Sequence, residues 1–96
     1  MSPKNKIKLN ILRKKLDKLD YQLLKIIKKR SSIVEKVLAL KSTKKEIIDR
    51  KRISIILKKI KKESIIRNID PKITNRIWKN MIWSYINFEK RNFKKK

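Results

Sequence analysis

The 96-residue sequence contains no cysteine, no histidine and no glycine. Without cysteine and histidine there is no disulfide, no thiolate nucleophile, no imidazole general base and none of the usual zinc sites. Phosphate-binding loops and dinucleotide-binding fingerprints need glycine, because the backbone must approach the phosphate closely, so these motifs are excluded as well. Any chemistry therefore has to use lysine, arginine, carboxylates, hydroxyls and amides, and we expect no metal and no cofactor.

Long apolar runs and acidic residues are also scarce. No run approaches the ~20 apolar residues of a membrane-spanning helix, and the amino terminus lacks the hydrophobic stretch of a signal peptide. We therefore expect a cytoplasmic protein without a membrane partner. Eight acidic residues stand against 31 Lys and Arg, which gives a net charge of +23. That charge is typical of nucleic-acid partners, but drift toward A/T-rich codons, which encode Lys, Ile and Asn, explains it equally well.

Apolar residues recur in steps of three and four, which is the period of one helix face and predicts an all-α fold. The length fits one domain, 1–96, with three helices over about residues 7–41, 48–66 and 71–93 and a basic tail at 94–96. Asp70 and Pro71 are an N-cap and a first helical residue, and so begin the third helix. Residues 42–46 break the pattern and predict a loop. The first helix would be roughly 50 Å long, too long for one small chain to cover, so we expect a second copy.

Two cations, Arg30 and Lys41, interrupt the apolar face of the first helix. Arg30 lies between Ile27 and Val34, and Lys41 follows Arg30 by eleven residues, which is about three turns at ~3.6 residues per turn. Both side chains are therefore predicted to leave the same face of the helix. Charged residues seldom occupy an apolar face without a partner. Either an anionic ligand binds between helices, or an internal salt bridge neutralises the charge.

Three further polar residues are predicted on apolar faces. Arg52 lies on the inner face of the second helix, and Asp49 is three residues earlier, so the two side chains can pair. Glu89 lies on the apolar side of the third helix. An ion pair between Glu89 and Lys41 or Arg30 would satisfy much of the buried charge without any ligand, and this alternative stays open beside a binding pocket.

Arg13 lies seventeen residues before Arg30, about 25 Å along a straight helix. It therefore cannot share a pocket with Arg30 of the same chain, but it can reach the equivalent pocket of an antiparallel partner. Taken alone, Arg13 is equally well an ordinary surface arginine.

Aromatic residues concentrate in the third helix, and a basic surface with interleaved aromatics can stack on single-stranded bases. The helical spacing, however, predicts Trp78, Tyr85 and Phe88 in the core and leaves only Trp83 and Phe93 off the apolar face. A nucleic-acid partner is therefore not expected. A basic helical nucleic-acid-binding protein stays as the alternative function, and a purely structural helical partner protein is a third.

Taken in order, these positions resemble the all-helical chorismate mutases of the bacterial AroQ type, in their monofunctional form. The resemblance covers residues from about Ile7 to Arg91. No single element is specific, but the ordered set is: the Leu-Arg-x-x-Leu-Asp-x-Leu-Asp run of residues 12–20, Arg30, Lys41, Asp49 with Arg52, Asp70-Pro71, and Glu89.

The resemblance implies an interlocked homodimer of three-helix chains that converts chorismate to prephenate on the route to phenylalanine and tyrosine. Arg30, together with Arg13 of the other subunit, would hold the two substrate carboxylates. Lys41 would donate to the ether oxygen of the breaking bond, with Glu89 beside it. Such a rearrangement is unimolecular and needs no nucleophile, metal or cofactor. The absence of cysteine, histidine and glycine is therefore compatible with this activity.

The second and third helices supply the remaining implied contacts. Arg52 would add to the cationic wall, and Asp49 would lie near the ring hydroxyl. The sequence departs from the family pattern at three places: Ile53 stands where Glu is common, Tyr85 where a small hydroxyl residue is common, and Glu89 where many relatives have Gln. We keep Tyr85 as a substrate-binding candidate.

Overall fold

The computed structural model describes residues 1–94 and contains three α-helices in that range: α1 (Pro3–Leu40), α2 (Arg50–Ile66) and α3 (Pro71–Asn92). A 3₁₀ helix, Lys44–Ile47, lies between α1 and α2. The all-α prediction and the long first helix are thus confirmed. None of the helices in the described range is long and apolar enough to cross a membrane. The predicted basic tail lies mostly outside the described residues, since only Lys94 falls within them.

The helix α1 begins four residues earlier than its apolar pattern predicts. Ser2 caps it, because its Oγ accepts the amide N–H of Asn5 at 3.1 Å and its carbonyl accepts that of Lys6 at 2.9 Å. Pro3 follows at the first helical position, where a missing N–H costs no hydrogen bond. The local capping signal, and not the apolar pattern, sets this end of the helix.

The chain divides into two compact units, Met1–Ile33 and Val34–Lys96. The first unit consists of Met1, Ser2 and the first part of α1, and most of its apolar side chains are exposed. Exposed members include Ile7, Ile11, Leu12, Leu16, Leu19, Leu23, Leu24, Ile26 and Ile27. Such a stretch has no core of its own.

The second unit holds the hydrophobic core. Leu38 at the end of α1, Ile47 in the 3₁₀ helix and Ile86 in α3 are buried together. Partly buried residues pack around these three: Ile48, Ile53, Ile82 and Phe93. Residues 42–46 were predicted as a loop, but the turn of 3₁₀ helix places Ile47 deep in this core. Phe93, which the helical spacing left off the apolar face, also packs here, because the chain leaves the helix after Asn92.

Between α2 and α3, two buried hydroxyls hold the helices together. Ser64 and Thr74 share a hydrogen bond of 2.7 Å between their side-chain oxygens. The helix α2 ends at Ile66 in a defined cap, in which Asn68 takes a φ of 55°. Asparagine tolerates this left-handed conformation better than most residues, and it does here what glycine does in many other chains.

Candidate active site

The second unit brings Lys41 and Glu89 into contact. The Nζ of Lys41 donates to Oε2 of Glu89 at 2.6 Å, and the two side chains are 17% and 9% exposed. Lys41 directly follows α1, and Glu89 lies in the last turns of α3. Among the described residues, no buried side-chain nitrogen or oxygen lacks a hydrogen-bond partner. Two residues predicted from separate helices therefore form one partly buried ion pair.

Core packing explains why this pair forms. Lys41 is held to the end of α1 by a hydrogen bond from its amide N–H to the carbonyl of Leu38, at 3.1 Å. Glu89 lies three residues after Ile86 on the same face of α3, and Leu38 and Ile86 pack against each other in the core. Each charged group is thus one helical turn beyond a core residue, so burial of the two apolar side chains brings the charges together.

An open cleft begins at Lys41 and is lined by Lys41, Glu46, Ile48, Asp49 and Arg50. Glu46 turns back on the preceding segment, where it accepts the amide N–H of Ser42 and the hydroxyl of Thr43, each at 3.4 Å. The cleft thus combines cationic and anionic side chains with one apolar wall. It can receive a small polar molecule that carries negative charge on one side.

The spacing of Asp49 and Arg52 suggested a pair between their side chains, but Asp49 bonds to the backbone of Arg52 instead. The Oδ1 of Asp49 accepts the backbone amide N–H of Arg52 at 2.9 Å, so Asp49 is the N-cap of α2. The side chain of Arg52 is exposed, and in the described part of the chain the cleft beside Lys41 is lined by Arg50 instead. Sequence reasoning missed Arg50. Its place as the first residue after the N-cap was the signal that could have found it.

Tyr85 lies one turn before Glu89 on α3 and is half-buried. It therefore shares the inner side of the helix with Glu89, as the apolar pattern predicted. Arg13 and Arg30 belong to the first unit, where both side chains are exposed. Their assignment to substrate binding stays a prediction. Within residues 1–94, no three acidic side chains form a group that could hold a metal ion.

Comparison with known families indicates which reaction this group of residues serves. The family model of chorismate mutase type II matches residues 12–90, most of the chain. The chain therefore belongs to the chorismate mutase type II family and is an enzyme, an isomerase that rearranges chorismate to prephenate. Searches of the curated proteins and of the solved structures found no match.

Proposed function

We propose that the protein accelerates the rearrangement of chorismate by folding the dianion into its reactive conformation and stabilising negative charge on the ether oxygen with Lys41. The observation that supports this most directly is the partly buried contact between Lys41 and Glu89, 2.6 Å long and next to an open cleft. A lysine with 17% of its side chain exposed is shielded from water yet reachable from the cleft. A cation in that setting interacts more strongly with developing charge than one in bulk water.

The reaction makes two demands, and cationic side chains answer both. A flexible substrate must be held with its reacting atoms close together, which lowers the entropic part of the barrier. Negative charge then grows on the ether oxygen as its bond to carbon stretches, and a fixed donor lowers the energy of that state. No bond to the protein forms or breaks, and no proton has to leave the substrate.

The other predicted residues complete the proposal. Arg30 and Arg13 of a second copy would bind the two carboxylates, and Arg52 would add positive charge, as the family resemblance implies. Asp49 would accept the ring hydroxyl; its place in the cleft beside Lys41 supports this role. Tyr85 lies one turn from Glu89 and would contact the substrate from α3.

We also propose that the chain acts as a homodimer. In the first unit, Leu12, Leu16 and Leu19 are each 55 to 59% exposed in the single chain. Burial of a leucine side chain contributes about 1.5–3 kcal/mol, so a second copy laid on this face would be strongly stabilised. The proposal also includes a single catalytic domain over residues 1–96 and a cytoplasmic location, as the sequence predicts.

An assay of chorismate disappearance, with prephenate identified as the product, tests the proposed mechanism. The purified protein is expected to convert chorismate, and Lys41→Ala to lose about 10² to 10³ in kcat, the usual cost of removing one such donor. Lys58→Ala is the matched control, because Lys58 is an exposed lysine of α2. A folded protein without activity, or equal losses in the two variants, would contradict the proposal.

Mixed dimers test the contribution of Arg13 across subunits. Arg13→Ala and Arg30→Ala are each expected to be nearly inactive alone. If Arg13 acts in the partner's site, a dimer with one chain of each kind contains one intact site. Random re-association of equal amounts should then restore about a quarter of the wild-type activity. No recovery, despite confirmed exchange of subunits, would place Arg13 in its own chain's site, and full activity of Arg13→Ala alone would place it outside any site.

A further inference from the structure

The outward side of α3 carries a row of exposed polar and aromatic residues that the active site does not use. The row follows helical steps of three and four, so its members share one face. We call it the basic stripe, and its six members are Lys72, Arg76, Lys79, Trp83, Asn87 and Lys90. From Lys72 to Lys90 it spans about 27 Å at ~1.5 Å per residue.

Within Pro71–Asn92, no acidic side chain lies in the row of the four cations, although Asp70 caps the helix beside Lys72 and accepts its amide N–H at 2.9 Å. Glu89 is the acidic residue within Pro71–Asn92, and it is buried on another side of the helix, where it pairs with Lys41. The charged members of the basic stripe are therefore all positive and all exposed to solvent. It is also distinct from the candidate active site, since its members are exposed, whereas Tyr85 is half-buried and Glu89 is buried.

Trp83 stands in the middle of the basic stripe and is 41% exposed. The other aromatic residues of the second unit, Trp78, Tyr85, Phe88 and Phe93, are all half-buried. A chain drifting toward A/T-rich codons would accumulate lysine and asparagine, but not tryptophan, whose codon is rich in G. Base composition thus explains part of the stripe and leaves the exposed tryptophan unexplained.

We propose that the basic stripe binds single-stranded nucleic acid, with the backbone phosphates along the four cations and one base stacked on Trp83. Cationic grooves combined with exposed aromatic rings are the usual means of binding single strands without sequence preference. A membrane surface fits less well, because a helix that inserts into the lipid interface needs a broad apolar face, and the stripe offers one apolar side chain.

Fluorescence anisotropy of a labelled oligothymidylate, titrated with the full-length protein at several salt concentrations, tests the proposal. Because stacking one base on an aromatic ring contributes about 1–3 kcal/mol, Trp83→Ala is expected to weaken binding about tenfold, while Trp83→Phe keeps most of the affinity. Lys79→Ala/Lys90→Ala should reduce the slope of log K against log salt by about 1.4, since each phosphate contact to a single strand contributes ~0.7. Chorismate mutase activity of Trp83→Ala should be unchanged.

The control is Lys58→Ala/Lys62→Ala, which removes the same charge from exposed positions of α2. If both lysine pairs change the salt slope equally, binding depends on net charge alone and the basic stripe is not a site. Unchanged affinity in Trp83→Ala overturns the stacking contact. Tighter binding to vesicles of phosphatidylcholine and phosphatidylserine than to the oligonucleotide would assign the stripe to a membrane instead. Circular dichroism confirms that each variant is folded.

Discussion

Replacing Lys41 with methionine separates the structural and the catalytic contributions of the ion pair. Methionine keeps an unbranched side chain of similar length, so the loss is mainly that of the ammonium group. Glu89, whose side chain is 9% exposed, would then be left as a buried carboxylate without its partner. Breaking a buried pair from one side costs about 3–5 kcal/mol. Because Lys41 retains 17% exposure and water can reach the site, we expect the lower end, about 3 kcal/mol.

The double variant Lys41→Met/Glu89→Met gives the decisive comparison. It removes both charges, and replacing a buried ion pair with apolar residues of similar size is often neutral or stabilising. We therefore expect the free energy of unfolding to recover to near the wild-type value. Activity should not recover, because no cation remains to stabilise the ether oxygen, and the loss in kcat should stay at about 10² to 10³.

Urea unfolding followed by circular dichroism gives the four free energies of the double-mutant cycle, and a chorismate assay gives the four rates. The coupling energy between the two residues should exceed about 1 kcal/mol, as for residues in direct contact. If the double variant regains activity together with stability, the ion pair is purely structural and Lys41 does not act on the substrate. If Lys41→Met is as stable as the wild type, the ion pair is too exposed to contribute to the free energy of unfolding.

Two further predictions concern single positions. Asp49→Ala should lower stability by about 1 kcal/mol, because α2 loses its N-cap, and Asp49→Ser should recover most of the thermal midpoint. Ile86→Ala should cost about 3 kcal/mol in urea unfolding, since it opens a cavity beside Leu38 and Ile47, whereas the exposed Ser54→Ala should change stability by under ~0.5 kcal/mol.

The fold was predictable wherever a local signal coincided with the apolar pattern. The third helix begins at Pro71 with Asp70 as its cap, as expected, and Oδ1 of Asp70 accepts the amide N–H of Lys72 at 2.9 Å. The same kind of signal at Ser2 and Pro3 started α1 early, where the apolar pattern had not yet begun. The short 3₁₀ helix escaped prediction because four residues carry too little periodicity to distinguish it from a loop.

The inner-face positions of Lys41 and Glu89 were predictable, but the contact between them was not. Spacing placed Lys41 and Glu89 on inner faces, yet it left either Lys41 or Arg30 as the partner of Glu89. The choice depends on the packing of Leu38 against Ile86, which are far apart in sequence. In the same way, spacing suggested a side-chain pair between Asp49 and Arg52, although a carboxylate at an N-cap position bonds more readily to the backbone amide three residues later.

We expect Glu89 to contribute to catalysis by holding Lys41 in place. A free lysine side chain carries about 2 kcal/mol of rotamer entropy, which is lost when the ammonium is fixed in place. The contact with Glu89 fixes Lys41 before the substrate arrives, and donors that are already in place cost no reorganisation during the reaction. Glu89→Gln keeps an oxygen that accepts from Lys41, whereas Glu89→Ala removes it. We therefore expect Glu89→Ala to lower kcat below that of Glu89→Gln at every pH; equal rates would show that Glu89 does not position Lys41.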